Sequence, residues 1–233
     1  MLILRKVLTI FLILFIILGV FVELVIPQLA EGTLQKEIMK KTASNDVQIS
    51  LSSTPNALIC LGSVDNVQGV LHNGKIGDMP VSQLTLDGEG VRLDLPKLLS
   101  DNKLVLKSAK KLELQGIVTE DDLKALLARK VEELENLEVK MTPEEVRASA
   151  NLKIMGRNAD VDMTGVLLVD KGELYFRMSK LNIRNALFRH IEMDNYFGDI
   201  QITKPDTLPL GFRFEEVTMQ DGKTLVKAVR PGD

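Results

Sequence analysis

The chain has 233 residues, 29 basic and 32 acidic, for a net charge of −3 at neutral pH. So slight a negative balance excludes a nucleic-acid partner of the kind held by a concentrated lysine and arginine field. A lone cysteine, Cys60, excludes an intrachain disulfide, and a chain of this length buries roughly 70% of its unfolded surface without such a staple.

Arg5 and Lys6 precede sixteen apolar or near-apolar residues, Val7 to Val22, before the first acid, Glu23. At helical rise this run spans about 24 Å, and about 30 Å if continued to Ile26, the thickness of a hydrocarbon core. Basic residues before it and none directly after it orient the N-terminus to the cytoplasm and the body outside, as a single-pass protein of the cell membrane. No small-x-small cleavage pattern follows, so residues 1–26 read as an uncleaved transmembrane anchor, with a cleaved signal peptide as the alternative. Residues 27–233 read as one domain. Beyond Glu23 there are 27 basic and 31 acidic residues, so the body carries −4.

Pro27 suits the first turn of a new helix, and Leu29, Leu34 and Ile38 carry that helix over residues 27–43 at near-helical spacing. Val47, Ile49 and Leu51 then alternate with polar residues as a half-buried strand. Thr54-Pro55-Asn56 breaks it, and Ala57 to Leu61 is a short apolar stretch in which Cys60 reads as a small buried hydrophobe. Val64, Val67, Val70 and Ile76 lie among glycines and suggest strands joined by tight turns. Leu84 and Leu86, then Val91, Leu93 and Leu95, flank Asp87-Gly88, a turn signal. Pro96 to Leu99 suits a single helical turn. Leu104 and Leu106, then Leu112, Leu114 and Val118, mark further strands.

One helix is well specified. Thr119 with Asp122 makes a short capping box, and Leu123, Leu126, Leu127, Val131 and Leu134 form an apolar stripe, so the helix should end near Glu135 or Asn136. Val146, Ala148, Ala150, Leu152 and Ile154 alternate without exception as a strand. Asp170-Lys171-Gly172 predicts a hairpin between Val161–Met163 and Leu174–Met178. Asn185 to Met193 reads as a short amphipathic helix, and Phe212, Phe214 and the Asp221-Gly222 turn close the chain. The pattern predicts an α+β body: a long twisted antiparallel sheet wrapped on a few helices, behind an N-terminal transmembrane helix, with room for an apolar groove.

Chemistry is sparse. His72 and His190 have no ligand partner at metal spacing, and no phosphate loop, nucleophile elbow or zinc helix occurs. The pair Asp121-Asp122 is accounted for by the positive end of a helix dipole, and Glu144-Glu145 sits at a turn. The reading is a protein without cofactor, metal site or enzymatic activity. Outside the anchor the seven aromatics all fall between Tyr175 and Phe214, and residues 24–174 have none, so whatever that region lines is aliphatic.

The run Leu208-Pro209-Leu210-Gly211-Phe212-Arg213-Phe214, followed by Val217 and Asp221-Gly222, resembles the signature of the LmeA-like phospholipid-binding family. Pro27, Leu29 and Ala30 after the apolar run, Pro55, Leu58 and Gly62, and Thr119-Glu120-Asp121-Asp122-Leu123 are similar to other parts of its pattern, in the same order. The resemblance implies an extracytoplasmic or envelope-attached protein that binds phospholipid, with a fold like the tubular lipid-binding domains, in which a twisted sheet wraps a helix beside an apolar channel. An uncleaved anchor departs from that picture and argues against carrying lipid over a distance. On this reading the groove mouth is formed by Leu187, Phe188, Ile191, Tyr196 and Phe197, with Arg184 and Arg189 meeting phosphates; core packing with solvated arginines is the plainer account of the same residues. The expected partners are phospholipid and the membrane surface. The alternative is a non-enzymatic envelope scaffold that binds a protein partner.

Overall fold

A computed structural model describes residues 2–76, 79–94, 97, 105–130, 134–154, 157–185, 191–194, 199–203 and 208–231. Helix α1 runs from Leu2 to Thr42 with Pro27 inside it, so the break expected at Pro27 is absent and one helix of about 60 Å replaces two. The local chemistry explains why the proline is tolerated. Without an N–H, Pro27 leaves the carbonyl of Glu23, four residues earlier, without its helical donor. Asn56 supplies the missing bond: its Nδ2 donates to the Glu23 carbonyl at 2.9 Å, and its backbone N–H donates to Glu23 Oε2 at 3.0 Å. Among the described residues no helix is long and apolar enough to cross a membrane. Most side chains of Val7–Val22 lie outside that set, so the anchor rests on the sequence alone.

After α1 come thirteen strands in the described residues and one further α-helix. The first strands are β1 (Asp46–Ser52), β2 (Ser63–Ile76), β3 (Met79–Leu93), β4 (Leu106–Ser108) and β5 (Lys111–Thr119), and then helix α2 (Glu120–Lys130). The rest are β6 (Leu134–Met141), β7 (Val146–Ile154), β8 (Arg157–Asp170), β9 (Glu173–Asn185), β10 (Ile191–Asp194), β11 (Ile200–Thr203), β12 (Arg213–Gln220) and β13 (Lys223–Val229). They form two sheets. The first has the order β1-β2-β3-β5-β13-β12 with β4 beside β3; the second has the order β10-β9-β8-β7-β6 with β11 beside β9. Every ladder is antiparallel. The expected α+β class is therefore observed, as mostly antiparallel sheet with few helices.

The free edge of β1 is covered by α1 through polar side chains. Gln35 Nε2 donates to the Val47 carbonyl at 2.5 Å, and Glu31 Oε1 accepts from the Leu51 N–H at 2.7 Å. An open strand edge is thereby closed by side chains in place of another strand. The short 3₁₀ turn Asn56–Leu61 follows, with Ile59 buried and Gly62 ending it.

Several expectations are corrected here. Residues 63–76 are a single strand, and Asp87-Gly88 lies inside β3 and not at a turn. Glycine is there for space: a Cβ on Gly88 would lie 2.8 Å from Leu112 Cδ1. His72 is paired within β2, opposite Asp46, and its Nδ1 lies 3.0 Å from Asp46 Oδ2. Cys60 is exposed, not buried. Helix α2 does not reach Glu135, because Leu134 and Glu135 already pair in β6 with Leu152 and Asn151. The segment expected as a helix over 185–193 carries β10 at Ile191–Asp194, registered against Lys180–Ile183 of β9; residues 186–190 lie outside the described set. Leu104 and most of the expected turn at Pro96–Leu99 lie outside it as well.

Other expectations hold. Strand β7 spans the residues that alternation marked, and the β8–β9 hairpin turns through Lys171 and Gly172, both at positive φ as a two-residue hairpin loop requires. Phe212 and Phe214 are buried core. The sheets are tied where β12 starts and ends: the Phe214 N–H donates to the Gly172 carbonyl, and the Gly222 N–H to the Met141 carbonyl, both at 3.1 Å.

Candidate functional site

Helix α2 connects the last strand of one sheet's first half to the other sheet, and this connection places it against both. Its start is fixed by the expected capping box. Asp122 Oδ2 accepts from the Thr119 N–H at 2.9 Å and from Thr119 Oγ1 at 2.8 Å, and the Asp122 N–H reaches Thr119 Oγ1 at 3.3 Å. Ser82 Oγ of β3 adds a third donor to the same carboxylate oxygen at 2.6 Å. On the other side, Glu120 Oε1 accepts from the Met141 N–H at 2.8 Å, which ties α2 to β6. The helix thus presents Leu123 and Leu126 inward at a fixed rotation.

A recess lies where those leucines meet the sheets. Val118 and Val226 line it from the first sheet, Leu167, Leu174 and Ile202 from the second. Its volume is about 10 Å³, at the lower limit of what holds one water. With walls of methyl and methylene groups it is a dry seam, closed in this conformation. The separate cleft of about 120 Å³ on the first sheet is lined by Asn66, Gln68, Asp87, Glu89 and Lys111, a polar surface that suits no acyl chain.

From the seam the apolar surface continues along the second sheet. In the ladders Ala150 stands opposite Val161 and Val161 opposite Ile183; in the next row Ala148 stands opposite Met163 and Met163 opposite Leu181. Ala148, Ala150 and Met163 belong to the same packed cluster as Leu123 and Leu126. Strand β10 extends both rows, with Ile191 opposite Ile183 and Met193 opposite Leu181.

The alternate positions of β9 carry polar groups. Tyr175 donates to Glu173 Oε2, and this bond to a carboxylate is the main reason its phenol is pushed up to about 12. Gln201 Nε2 donates to the same oxygen. Arg177 grips Asp199 with two bonds of 2.8 and 2.7 Å, which hold the Asp199 carboxyl below the ordinary range.

Of the residues expected at a groove mouth, Arg184 is the second-last residue of β9 with its Nη2 2.6 Å from Asp162 Oδ2, so its charge is already paired. Ile191 occupies the first position of β10. Leu187, Phe188, Arg189, Tyr196 and Phe197 lie outside the described residues. The seam residues were not singled out from sequence as a site. Their signal was the capping box and the stripe after it, which fix a helix and its buried face but not that two sheets converge on it.

Two antiparallel sheets meeting over a capped helix, with an aliphatic seam where they meet it, define a protein built to keep apolar surface together; among the described residues no three acidic, histidine or cysteine side chains group to hold a metal. The model of the LmeA-like phospholipid-binding family matches residues 21–228, and the chain belongs to that family. Comparison with curated proteins and with solved structures gives no significant match.

Proposed function

We propose that this protein is anchored in the cell membrane by residues 1–26, holds its body outside the cytoplasm, and binds phospholipid in the cell envelope without chemical action on it. The observation that carries the reading is the apolar surface that begins between α2 and both sheets and continues along β7, β8 and β9 toward β10. Acyl chains enter by parting α2 from the second sheet. Uncovering Leu123 and Leu126 costs about 1.5–3 kcal/mol each, and each methylene taken from water returns about 0.8 kcal/mol. A lipid that arrives from a bilayer brings no such gain, because its chains are already in hydrocarbon; exchange with the membrane is then close to balanced and reversible. Family membership supports the ligand class. The apolar run Val7–Val22 supports the anchor.

A phospholipid with a diazirine on its acyl chain tests the reading. The full chain, reconstituted in vesicles containing that lipid and irradiated, should carry label on peptides from α2, β8 and β9. Label confined to the peptide of Val7–Val22 would instead favour an anchored scaffold with a filled interior.

A further inference from the structure

The 3₁₀ turn Asn56–Leu61 has an unusual distribution of apolar side chains. Ile59 is buried in the core, yet Leu61, two residues on, is 77% exposed, and Cys60 beside it is exposed too. On α1, Leu24 is 62% and Phe21 58% exposed. The two bonds from Asn56 to Glu23 fix the turn to the helix at one level. The turn, the end of the apolar run and these exposed side chains therefore sit together at one end of the domain.

That level can be compared with a bilayer. A hydrocarbon core of about 30 Å takes about 20 helical residues, which, counted from Val7, places its outer boundary near Ile26. Glu23 is about one turn inside that boundary for an upright helix. Because α1 is continuous through Pro27, the domain has no break there at which to swing away from the helix. We infer that the turn Asn56–Leu61 is a second membrane contact, in which Leu61 and the adjoining Cys60 insert at the boundary between headgroups and acyl chains beside the anchor. The inference rests on the anchored reading proposed above.

The polar groups at this place fit such a setting. A carbonyl freed by proline has no water to bond in hydrocarbon, and Asn56 satisfies it from within the protein. Exposed Arg92 pairs with Ser63 in the ladder directly after the turn, and the Leu93 N–H donates to the Gly62 carbonyl at 2.7 Å, so a cation flanks the apolar tip at headgroup height. The contact fixes the depth and tilt of the domain against the surface from which lipid is drawn.

Cys60, being the single cysteine, is also the probe. The full chain labelled there with an environment-sensitive fluorophore is reconstituted in vesicles of phosphatidylcholine and phosphatidylglycerol, with nitroxide lipids as quenchers. The control is C60S with K75C, labelled at the far end of β2, about 40 Å along the strand from the turn. Emission at Cys60 should shift to the blue and be quenched severalfold more than at the control. Leu61→Asp should remove most of that quenching, while circular dichroism and flotation with the vesicles stay unchanged. If the protein floats and Cys60 remains as water-exposed as the control, the membrane contact is refuted and the anchor stands. Equal quenching at both positions also refutes it, as general adhesion of the domain. Failure to float overturns both the anchor and the contact.

Discussion

Substituting Asp122 tests whether the start of α2 is the latch of the seam. Its Oδ2 collects the Thr119 N–H, the Thr119 hydroxyl and the Ser82 hydroxyl within 2.9 Å. In Asp122→Ala the helix loses its capping box, worth about 1 kcal/mol, and Ser82 on a half-buried strand loses a charged acceptor, worth about 1.5–3 kcal/mol. The three bonds share one atom and do not add, so a loss of about 3 kcal/mol is expected. For a protein of this size that lowers Tm by about 6–12 °C. Asp122→Asn keeps one acceptor oxygen without the charge and should lose about half as much. Thermal unfolding of the full chain, followed by the β-sheet dichroism signal, gives the shifts, and hydrogen exchange resolved by peptide shows whether they localise to residues 120–130. A looser α2 should also speed phospholipid labelling of the seam. A fall of less than about 2 °C for the alanine variant, or equal falls for Ala and Asn, would refute the latch.

Gly165→Ala should destabilise by about 1–3 kcal/mol, seen as a lower denaturant midpoint, because its Cβ would lie 2.4 Å from the backbone carbonyl of Arg177, which cannot turn aside. In a Tyr196→Phe background, ultraviolet titration should find Tyr175 ionising near 12, and Glu173→Gln should bring it down toward the ordinary phenol value of 10.0. This raised value means that the bond's contribution is whole below the unfolded tyrosine pKa and is lost as pH rises through the folded one. Asp199 works in the opposite sense: its lowered value gives a contribution present above 3.8 and lost as pH falls through the folded value. The Tm difference between the native chain and Arg177→Gln should therefore shrink between about pH 5 and about pH 2.

How much of this was legible depended on the range of the interaction. Strand β7, the β8–β9 hairpin and the Thr119–Asp122 cap follow from rules that act within a few residues, and the sequence carries them openly. The misreadings arose where distant contacts prevailed. Gly88 looks like a turn residue until Leu112, on a neighbouring strand, needs its empty Cβ position. The stripe Leu123 to Leu134 looks like one helix, but Leu134 is drawn into pairing with Leu152. Ile191 lies at helical spacing from Leu187 in sequence, while the ladder to β9 uses Ile191 and Met193 at a period of two. Arg184 suits a phosphate contact by local sequence, but its partner Asp162 is 22 residues away.

Pro27 makes the same point in reverse. By local rules it should separate anchor from domain, because it removes a helical donor and favours a fresh start. The chain instead answers the lost bond 29 residues later, where Asn56 meets the carbonyl of Glu23. Loss of that amide should therefore be felt as a change in coupling between helix and domain more than as a loss of core. The amide bonds the Glu23 carbonyl and not the buried Ile59 or Val64, and without it the proline-freed carbonyl would be left with water as its partner. A proline that ordinarily acts as a hinge is in this way built into a continuous helix that is bonded to the domain.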